Sequence, residues 1–190
     1  NWFDPFYIQS HLSEEESNIQ KNVRDFCNNE LKPTVVERNR KNEFDQSLYP
    51  KFGSLGVLGQ TVKTHGGSGT SNLAYGLVAY EFEKIDSSYR SSISVQSSLV
   101  IHPINEFGSQ EQKDKYLPQL IKGEKIGCFG LTESEAGSDP ASMKTSFKKT
   151  KDGYILNGSK NWITNAPIAD IFIIWAIEEN KDHKSIKGFI

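Results

Sequence analysis

Residues 131–139 read Leu-Thr-Glu-Ser-Glu-Ala-Gly-Ser-Asp and follow the small apolar run Ile126-Gly127-Cys128-Phe129-Gly130. Hydroxyls, carboxylates and a Gly-Ser pair at the mouth of a strand are groups that hold a ligand better than they fill a core. Successive N–H groups around Ala136, Gly137 and Ser138 can form an anion-binding concavity, and the Thr132 hydroxyl can donate to or accept from a planar heterocycle. On spacing alone, an Asx- or Ser-capped turn is the preferred reading. A second candidate, Thr-His-Gly-Gly-Ser-Gly-Thr at 64–70, lacks the Lys-Ser/Thr ending of a phosphate loop and follows no strand, so it reads as a turn before a helix.

The chain that must position these residues has 190 of them, 36% hydrophobic and 11% aromatic, enough for one good core or two modest ones. Its 22 basic and 24 acidic residues are dispersed and give a formal charge of −2. No basic patch results, so nucleic-acid binding is not expected. Cys27 and Cys128 stand far apart without a CxxC or Cys/His neighbour, which reads as two core thiols and no metal site. No apolar run is long enough to span a bilayer, and residues 1–12 lack the basic flank and apolar centre of a signal peptide. The expectation is a soluble chain with no stable membrane insertion and no targeting segment.

Up to residue 125 the periodicity is helical. Ser13-Glu14-Glu15-Glu16 has capping-box spacing, and Ile19, Val23, Phe26, Cys27 and Leu31 recur at helical intervals up to Pro33. Asp45 can cap a shorter helix with Leu48, Phe52 and Leu55 inward and Gly56 at its end. From Ser71, the positions Leu73, Leu77, Val78, Tyr80, Phe82 and Ile85 are apolar around much of a helix, which predicts a buried one interrupted by Glu81 and Glu83. Asp86 to Arg90 breaks that pattern, and Ser91 to Ile101 resumes it with small polar residues that allow close approach. Ser109 to Gln112 opens a last helix with Tyr116, Leu117 and Leu120 inside and Gly123 at its end.

After Lys125 the pattern becomes that of strands. These are expected at 128–131, 145–147 and 154–156, with Asn157-Gly158 as a two-residue hairpin turn into another strand at 159–164. A dense β-branched and aromatic run at 169–177 predicts a buried strand, and 187–190 one more strand cut short. The hairpin makes the glycosylation sequon at Asn157 incidental. The fold class expected is α+β, with an all-helical N-terminal domain over 1–125 and the start of a mostly antiparallel β domain over 126–190. A sheet that stops on an unpaired strand suggests a piece of a longer protein.

The stretch LTESEAGSD, followed by GYILNGSKNWITNAPIAD at 153–170, resembles the central region of the flavin-dependent acyl-CoA dehydrogenases, and two such motifs at this separation are specific. Upstream, EKIDSSYRS at 83–91, SVQSSLV at 94–100 and His102-Pro103 resemble the branch of that family that acts on glutaryl-CoA. The similarity runs over nearly the whole chain. It implies that the loop and the second motif hold FAD. Phe129 to Ser138 would line the flavin, with the Leu131 main chain and Thr132 hydroxyl at the pyrimidine edge and Gly137 and Ser138 near the pyrophosphate or the bound thioester. Trp162 would pack on the isoalloxazine beside Ile163, and Thr164 would hydrogen-bond near N5. An aromatic plane covers a ring, and a hydroxyl beside N5 tunes the atom that accepts hydride.

The resemblance further implies α,β-dehydrogenation of an acyl-CoA, with decarboxylation to crotonyl-CoA and CO2 in the glutaryl branch. A substrate with a second carboxylate calls for a fixed cation. Arg90 matches the family's arginine at that place, with Ser91 beside it and Glu83 two helical turns upstream in the same polar cluster. The family's catalytic carboxylate lies in a C-terminal helical domain, so no base is assigned here and the chain alone is expected to be inactive. Ser134 stands where many relatives have Pro, which should loosen the turn without removing a donor. An electron-transfer flavoprotein or similar acceptor, a homotetramer at full length and a mitochondrial matrix or bacterial cytoplasmic setting are implied in the same way. Two other readings stay open. One is a dehydrogenase of short- or branched-chain acyl-CoA, whose substrate gives Arg90 no partner. The other is a catalytically silent flavin- or thioester-binding module, or a helical interaction domain.

Overall fold

Ser13 starts the first helix, α1 (Glu14–Phe26), by the reciprocal arrangement that its Ser-x-x-Glu spacing predicts. Its hydroxyl accepts from the Glu16 N–H at 3.2 Å, and the Glu16 carboxylate accepts from the Ser13 N–H at 3.0 Å. The structure, a computed structural model, describes residues 4–190; the first three positions of the segment read for a leader lie outside them. From α1 the chain passes through a π-helical turn at Cys27–Leu31 into α2 (Val35–Lys41) and α3 (Leu48–Ser54). After the glycine-rich turn come α4 (Asn72–Glu83), α5 (Ser87–Ser94), a π-helical stretch at Val95–Ile101, α6 (His102–Phe107) and α7 (Gln110–Ile121). Two compact units divide between Glu124 and Lys125.

In the helical unit α1 packs on α4, and α4 on α5. Tyr49, Phe52 and Phe82 are fully buried, and Phe52 stands edge-on to Phe26 at 6.0 Å and to Phe82 at 5.4 Å. Such edge-to-face pairs add to the burial of the rings themselves. Contrary to the sequence expectation, α4 is not apolar-buried all round. Ala74, Leu77, Val78 and Phe82 face inward, while Leu73 and Tyr80 are exposed.

Nor does Glu81 interrupt the helix, for it sits on the inner face at 2% exposure. Its carboxylate accepts from Gln20 Nε2 at 2.8 Å, Arg24 Nη2 at 2.9 Å and Lys84 Nζ at 3.2 Å. Burial, the strongest influence, pushes its pKa up, yet the hydrogen bonds from Arg24 and Lys84 bring it below the ordinary value. A buried carboxylate is tolerable when its partners offset its desolvation in this way. Asp86 likewise caps rather than breaks: its side chain accepts from the Ser88 N–H at 2.8 Å, so Arg90 lies in the first turn of α5. Asp45 acts just ahead of α3, accepting from the N–H and hydroxyl of Ser47, whose own side chain makes no cap bond.

The small polar residues of the π-helical stretch are used for backbone contact. Gln96 donates to the Leu120 carbonyl at 2.9 Å, and Ser97 Oγ accepts from the Gly59 N–H at 3.1 Å. Gly123 closes α7 at φ +71°, and a Cβ there would overlap the carbonyl oxygen of Tyr49.

The second unit holds a mixed sheet of β1 (Gly127–Gly130), β2 (Ser146–Lys149), β3 (Tyr154–Asn157), β4 (Ile171–Glu178) and β5 (Lys187–Phe189). β4 runs parallel to β1 and, at its far end, to β2; it runs antiparallel to β5, and β2 pairs antiparallel with β3. The expected helical domain followed by a sheet is found, and the sheet is mixed rather than purely antiparallel because long connections, not tight turns, lead from β1 to β2 and from β3 to β4, and these permit parallel pairing.

The hairpin also lies elsewhere than its sequence signal placed it. Its turn is at 150–153, where the Thr150 N–H donates to the Gly153 carbonyl at 2.8 Å, and residues 158–165 form no strand. Gly158 serves close approach instead, since a Cβ there would overlap Thr145. The strand read as wholly buried alternates in its first half: Ile171 and Ile173 are buried, but Phe172 is exposed.

Both cysteines are free and buried. Burial pushes the Cys27 thiol up to about 12 and the Cys128 thiol up to about 11, so both stay protonated and weakly nucleophilic. Among the described residues no cluster of three His, Cys, Asp or Glu side chains could hold a metal ion, and no helix is long and apolar enough to cross a membrane.

Two glycines should respond to alanine with opposite signs. Gly123→Ala forces a Cβ onto a backbone atom at positive φ and should cost ~2 kcal/mol or more. Gly76→Ala, in open space within α4, should stabilise by about 0.5–1 kcal/mol. Urea denaturation of the two variants beside the parent measures both.

Candidate functional site

The polar loop that leaves β1 is organised around one carboxylate. Glu133 is 9% exposed and accepts from the N–H groups of Lys144 at 2.7 Å and Thr145 at 3.0 Å, and from Lys160 Nζ at 2.7 Å. Lys160 Nζ also donates to the Leu131 carbonyl at 2.9 Å. Burial is the largest influence on the Glu133 carboxyl and pushes its pKa up. Hydrogen bonds from Lys160, Thr145 and the Lys144 backbone outweigh it and bring the value down to about 2. Glu135, by contrast, is exposed and pairs with Lys144. The two glutamates of the motif therefore differ: one builds the loop and the other faces water.

A second tie joins the same segments, as the Asn161 N–H donates to the Thr132 carbonyl at 2.9 Å. Leu131 and Thr132 are thus held against Lys160 and Asn161, directly before Trp162, Ile163 and Thr164. Trp162 has φ +59° and is 92% exposed. A bulky residue in the left-handed region costs on the order of 1–3 kcal/mol, and such outliers cluster at ligand sites. Asn165 follows at φ +70°, its amide donating to the Gly127 carbonyl at 3.1 Å. Among the described residues the hydroxyls of Thr132, Ser138 and Thr164 make no hydrogen bond within the chain. An exposed indole plane with free hydroxyls on the adjoining segments fits a flat heteroaromatic group that carries its own donors and acceptors.

The remaining residues expected here divide. Phe129 is half-buried with its ring edge-on to Trp175 at 6.0 Å, so part of its surface is used within the unit. The Ala136 N–H donates to the Glu133 carbonyl at 3.2 Å and is therefore not part of an anion-binding concavity. Gly137 and Ser138 are exposed. Ser134, in the turn closed by the paired backbones of Glu133 and Ala136, faces solvent.

In the helical unit, Arg90 Nε donates to Glu83 Oε2 at 2.6 Å, and the Ser87 hydroxyl donates to Glu83 Oε1 at 2.5 Å. The Ser87 hydroxyl, and then Arg90, hold the Glu83 carboxyl below the usual range. The cluster is half-exposed, with Ser91 adjoining it. Among the described residues the terminal guanidinium nitrogens of Arg90 carry no hydrogen bond, so the fork that can grip a carboxylate is free.

Glu133 and Lys160 are the site residues that sequence reasoning missed. Their signals were a carboxylate two residues beyond a strand and a single Lys in the neutral run Asn157 to Thr164. Reading Asn157-Gly158 as a hairpin turn concealed the second.

This helical unit and loop-bearing sheet match family descriptions in the same order. Residues 13–124 match the acyl-CoA dehydrogenase N-terminal domain and residues 128–190 the acyl-CoA dehydrogenase middle domain. The chain belongs to the acyl-CoA dehydrogenase family. It is 41% identical to a glutaryl-CoA dehydrogenase from Mycobacterium smegmatis solved in complex with FADH2, with a TM-score of 0.92 over 97% of this chain and 47% of that one. It is also 41% identical to the mitochondrial isovaleryl-CoA dehydrogenase of Pongo abelii, over 87% of this chain and 40% of that protein. It is 38% identical to the short-chain-specific acyl-CoA dehydrogenase of Clostridium acetobutylicum, over 95% and 48% respectively. The chain spans about half the length of the relatives it matches.

The folded Glu133 carboxyl titrates near 2 against an ordinary 4.5, so its stabilisation is fully present above about 4.5 and is lost as pH falls toward 2. At most it amounts to about 3 kcal/mol. In an acid titration of unfolding free energy, Glu133→Gln should be less stable at neutral pH and show a shallower decline between these limits.

Proposed function

We propose that this chain is the N-terminal helical and flavin-loop portion of a FAD-dependent acyl-CoA dehydrogenase whose substrate is glutaryl-CoA. The carrying observation for the substrate is Arg90, held at Nε by Glu83 with its terminal nitrogens free among the described residues. A guanidinium fixed at one side and open at the other suits bidentate capture of a terminal carboxylate. Ser91, adjoining it, offers a hydroxyl to the same group.

For the cofactor, the supporting features are the exposed Trp162 plane and the free hydroxyls of Thr132 and Thr164. When bound, FAD supplies the acceptor for the hydride leaving the acyl chain. Trp162 covers one face of the ring system and keeps water from it, with Ile163 adding apolar surface. Thr132 and the Leu131 main chain orient the pyrimidine edge, and the Thr164 hydroxyl holds a hydrogen bond at N5. Gly137 and Ser138 would give an unobstructed stretch of backbone and a hydroxyl for the pyrophosphate or thioester, and Phe129 would line the flavin. No residue of this chain is assigned as the base that removes the α-proton; an electron-transfer flavoprotein or similar acceptor takes the electrons, and the full-length protein is a homotetramer. The reaction proposed is dehydrogenation with decarboxylation, in a mitochondrial matrix or a bacterial cytoplasm.

A second reading follows from Glu83. Its 2.6 Å contact already neutralises Arg90, and relatives named for short-chain and isovaleryl substrates match at 38–41% identity. On that reading Arg90 serves a helix end and the substrate is monocarboxylic.

The test reconstitutes the full-length protein with FAD, adds glutaryl-CoA anaerobically while flavin absorbance is followed, and assays turnover by mass spectrometry for crotonyl-CoA and CO2. Bleaching with both products supports the proposal, and Arg90→Ala should then raise KM at least tenfold. Bleaching only with butyryl-CoA or isovaleryl-CoA refutes the glutaryl assignment in favour of the second reading. Trp162→Ala should weaken FAD binding by an order of magnitude or more without lowering the melting temperature of the FAD-free protein, because the side chain makes almost no contact within the folded chain.

A further inference from the structure

Lys160 and Glu133 form the most enclosed ion pair in the β unit, with side-chain exposures of 8% and 9%. Neither residue is accounted for by the chemistry above, yet Lys160 bonds to the Leu131 carbonyl of the machinery proposed there and Glu133 follows Thr132 in the chain. Lys160 Nζ grips the Leu131 carbonyl at 2.9 Å and the Glu133 carboxylate at 2.7 Å, with Met143 Sδ at 3.9 Å. The residue after Lys160 is tied to Thr132, and the residue after that is Trp162. Glu133 is anchored independently of Lys160 by the N–H groups of Lys144 and Thr145.

A charge so enclosed acts through a low dielectric, and its field on neighbouring groups is weakly screened. As a pair the two charges cancel. Singly, each is a fixed charge one or two residues from the segments proposed to meet the flavin. We propose that Lys160 and Glu133 are positioning residues that lock the 131–133 and 160–162 segments together and keep the net charge beside the segments proposed to meet the flavin at zero, so that they set its reduction potential with opposite signs. This rests on the FAD reading above. Two-electron reduction adds negative charge to the ring system. An uncompensated Lys160 favours that state, and an uncompensated Glu133 opposes it.

Both single variants remove a buried partner and lose stability, so stability cannot discriminate; the potential can. Full-length protein loaded with FAD is compared as parent, Lys160→Met, Glu133→Gln and the double variant, with dye-equilibrated potentials, FAD dissociation constants and unfolding by circular dichroism. Lys160→Met should lower the potential, Glu133→Gln should raise it, and the double variant should return toward the parent. If both single variants shift the potential in one direction, or neither shifts it while FAD remains bound, the charge role is refuted and the pair is a structural tie alone. If a single variant cannot hold FAD, the double variant, which buries no lone charge, decides: a potential far from the parent's overturns the proposal. Parent protein that folds but takes up no FAD overturns the flavin reading itself, a result distinct from either outcome for the pair.

Discussion

A carboxylate almost without access to water holds the second unit in shape. Glu133 draws three separate stretches of chain to one point: its own loop, the approach to β2 through Lys144 and Thr145, and the segment after β3 through Lys160. Removing such a group from water costs several kcal/mol, and only a full set of donors offsets that cost. The constraint is therefore mutual. Strands of three or four residues, as β1, β2, β3 and β5 are, have little register information of their own. Donors that must all converge on one carboxylate supply what the short ladders lack.

The helical unit solves a related problem with two carboxylates on one helix. Glu81 and Glu83 lie two positions apart, about 200° around the axis at 3.6 residues per turn. Glu81 points inward and clasps α1 through Gln20 and Arg24; Glu83 points outward and aims Arg90. One acid supports the scaffold and its neighbour orients the cation proposed to meet the substrate, without either contact disturbing the other. The buried one is stabilised by its donors despite its desolvation, whereas the outer one is half-exposed and leaves the terminal nitrogens of the guanidinium free among the described residues.

Much of this was legible in the sequence where local chemistry decides the outcome. The capping boxes at Ser13 and Ser109 and the stop at Gly123 follow from side chains bonding within a few residues. So does the change from helix to strand near residue 125. What escaped depends on partners distant in sequence. Glu81 reads as an interruption until Gln20 and Arg24 come up beside it, and Asn157-Gly158 reads as a turn until Thr145 presses against Gly158. Parallel pairing of β4 with β1 and β2 is likewise a property of crossovers that no two-residue signal encodes. The motif residues were recognisable as a set, but the separate tasks of Glu133 and Glu135 were not, because burial is decided by the whole unit.

The solvent-facing Trp162 has an optical consequence. Its indole stands in water, whereas Trp175 lies against Phe129 and Gly188 with its Nε1 shielded. Emission from an indole in water is shifted to the red of one in an apolar setting, so Trp162 and Trp175 divide the fluorescence spectrum between them once the third tryptophan, Trp2, which lies outside the described residues, is replaced by phenylalanine. The red component belongs to the side chain at the proposed ring-binding surface and the blue component to the sheet beside it. The protein thus carries an internal contrast, with one emitter that senses occupancy and one that serves as a reference for the integrity of the fold.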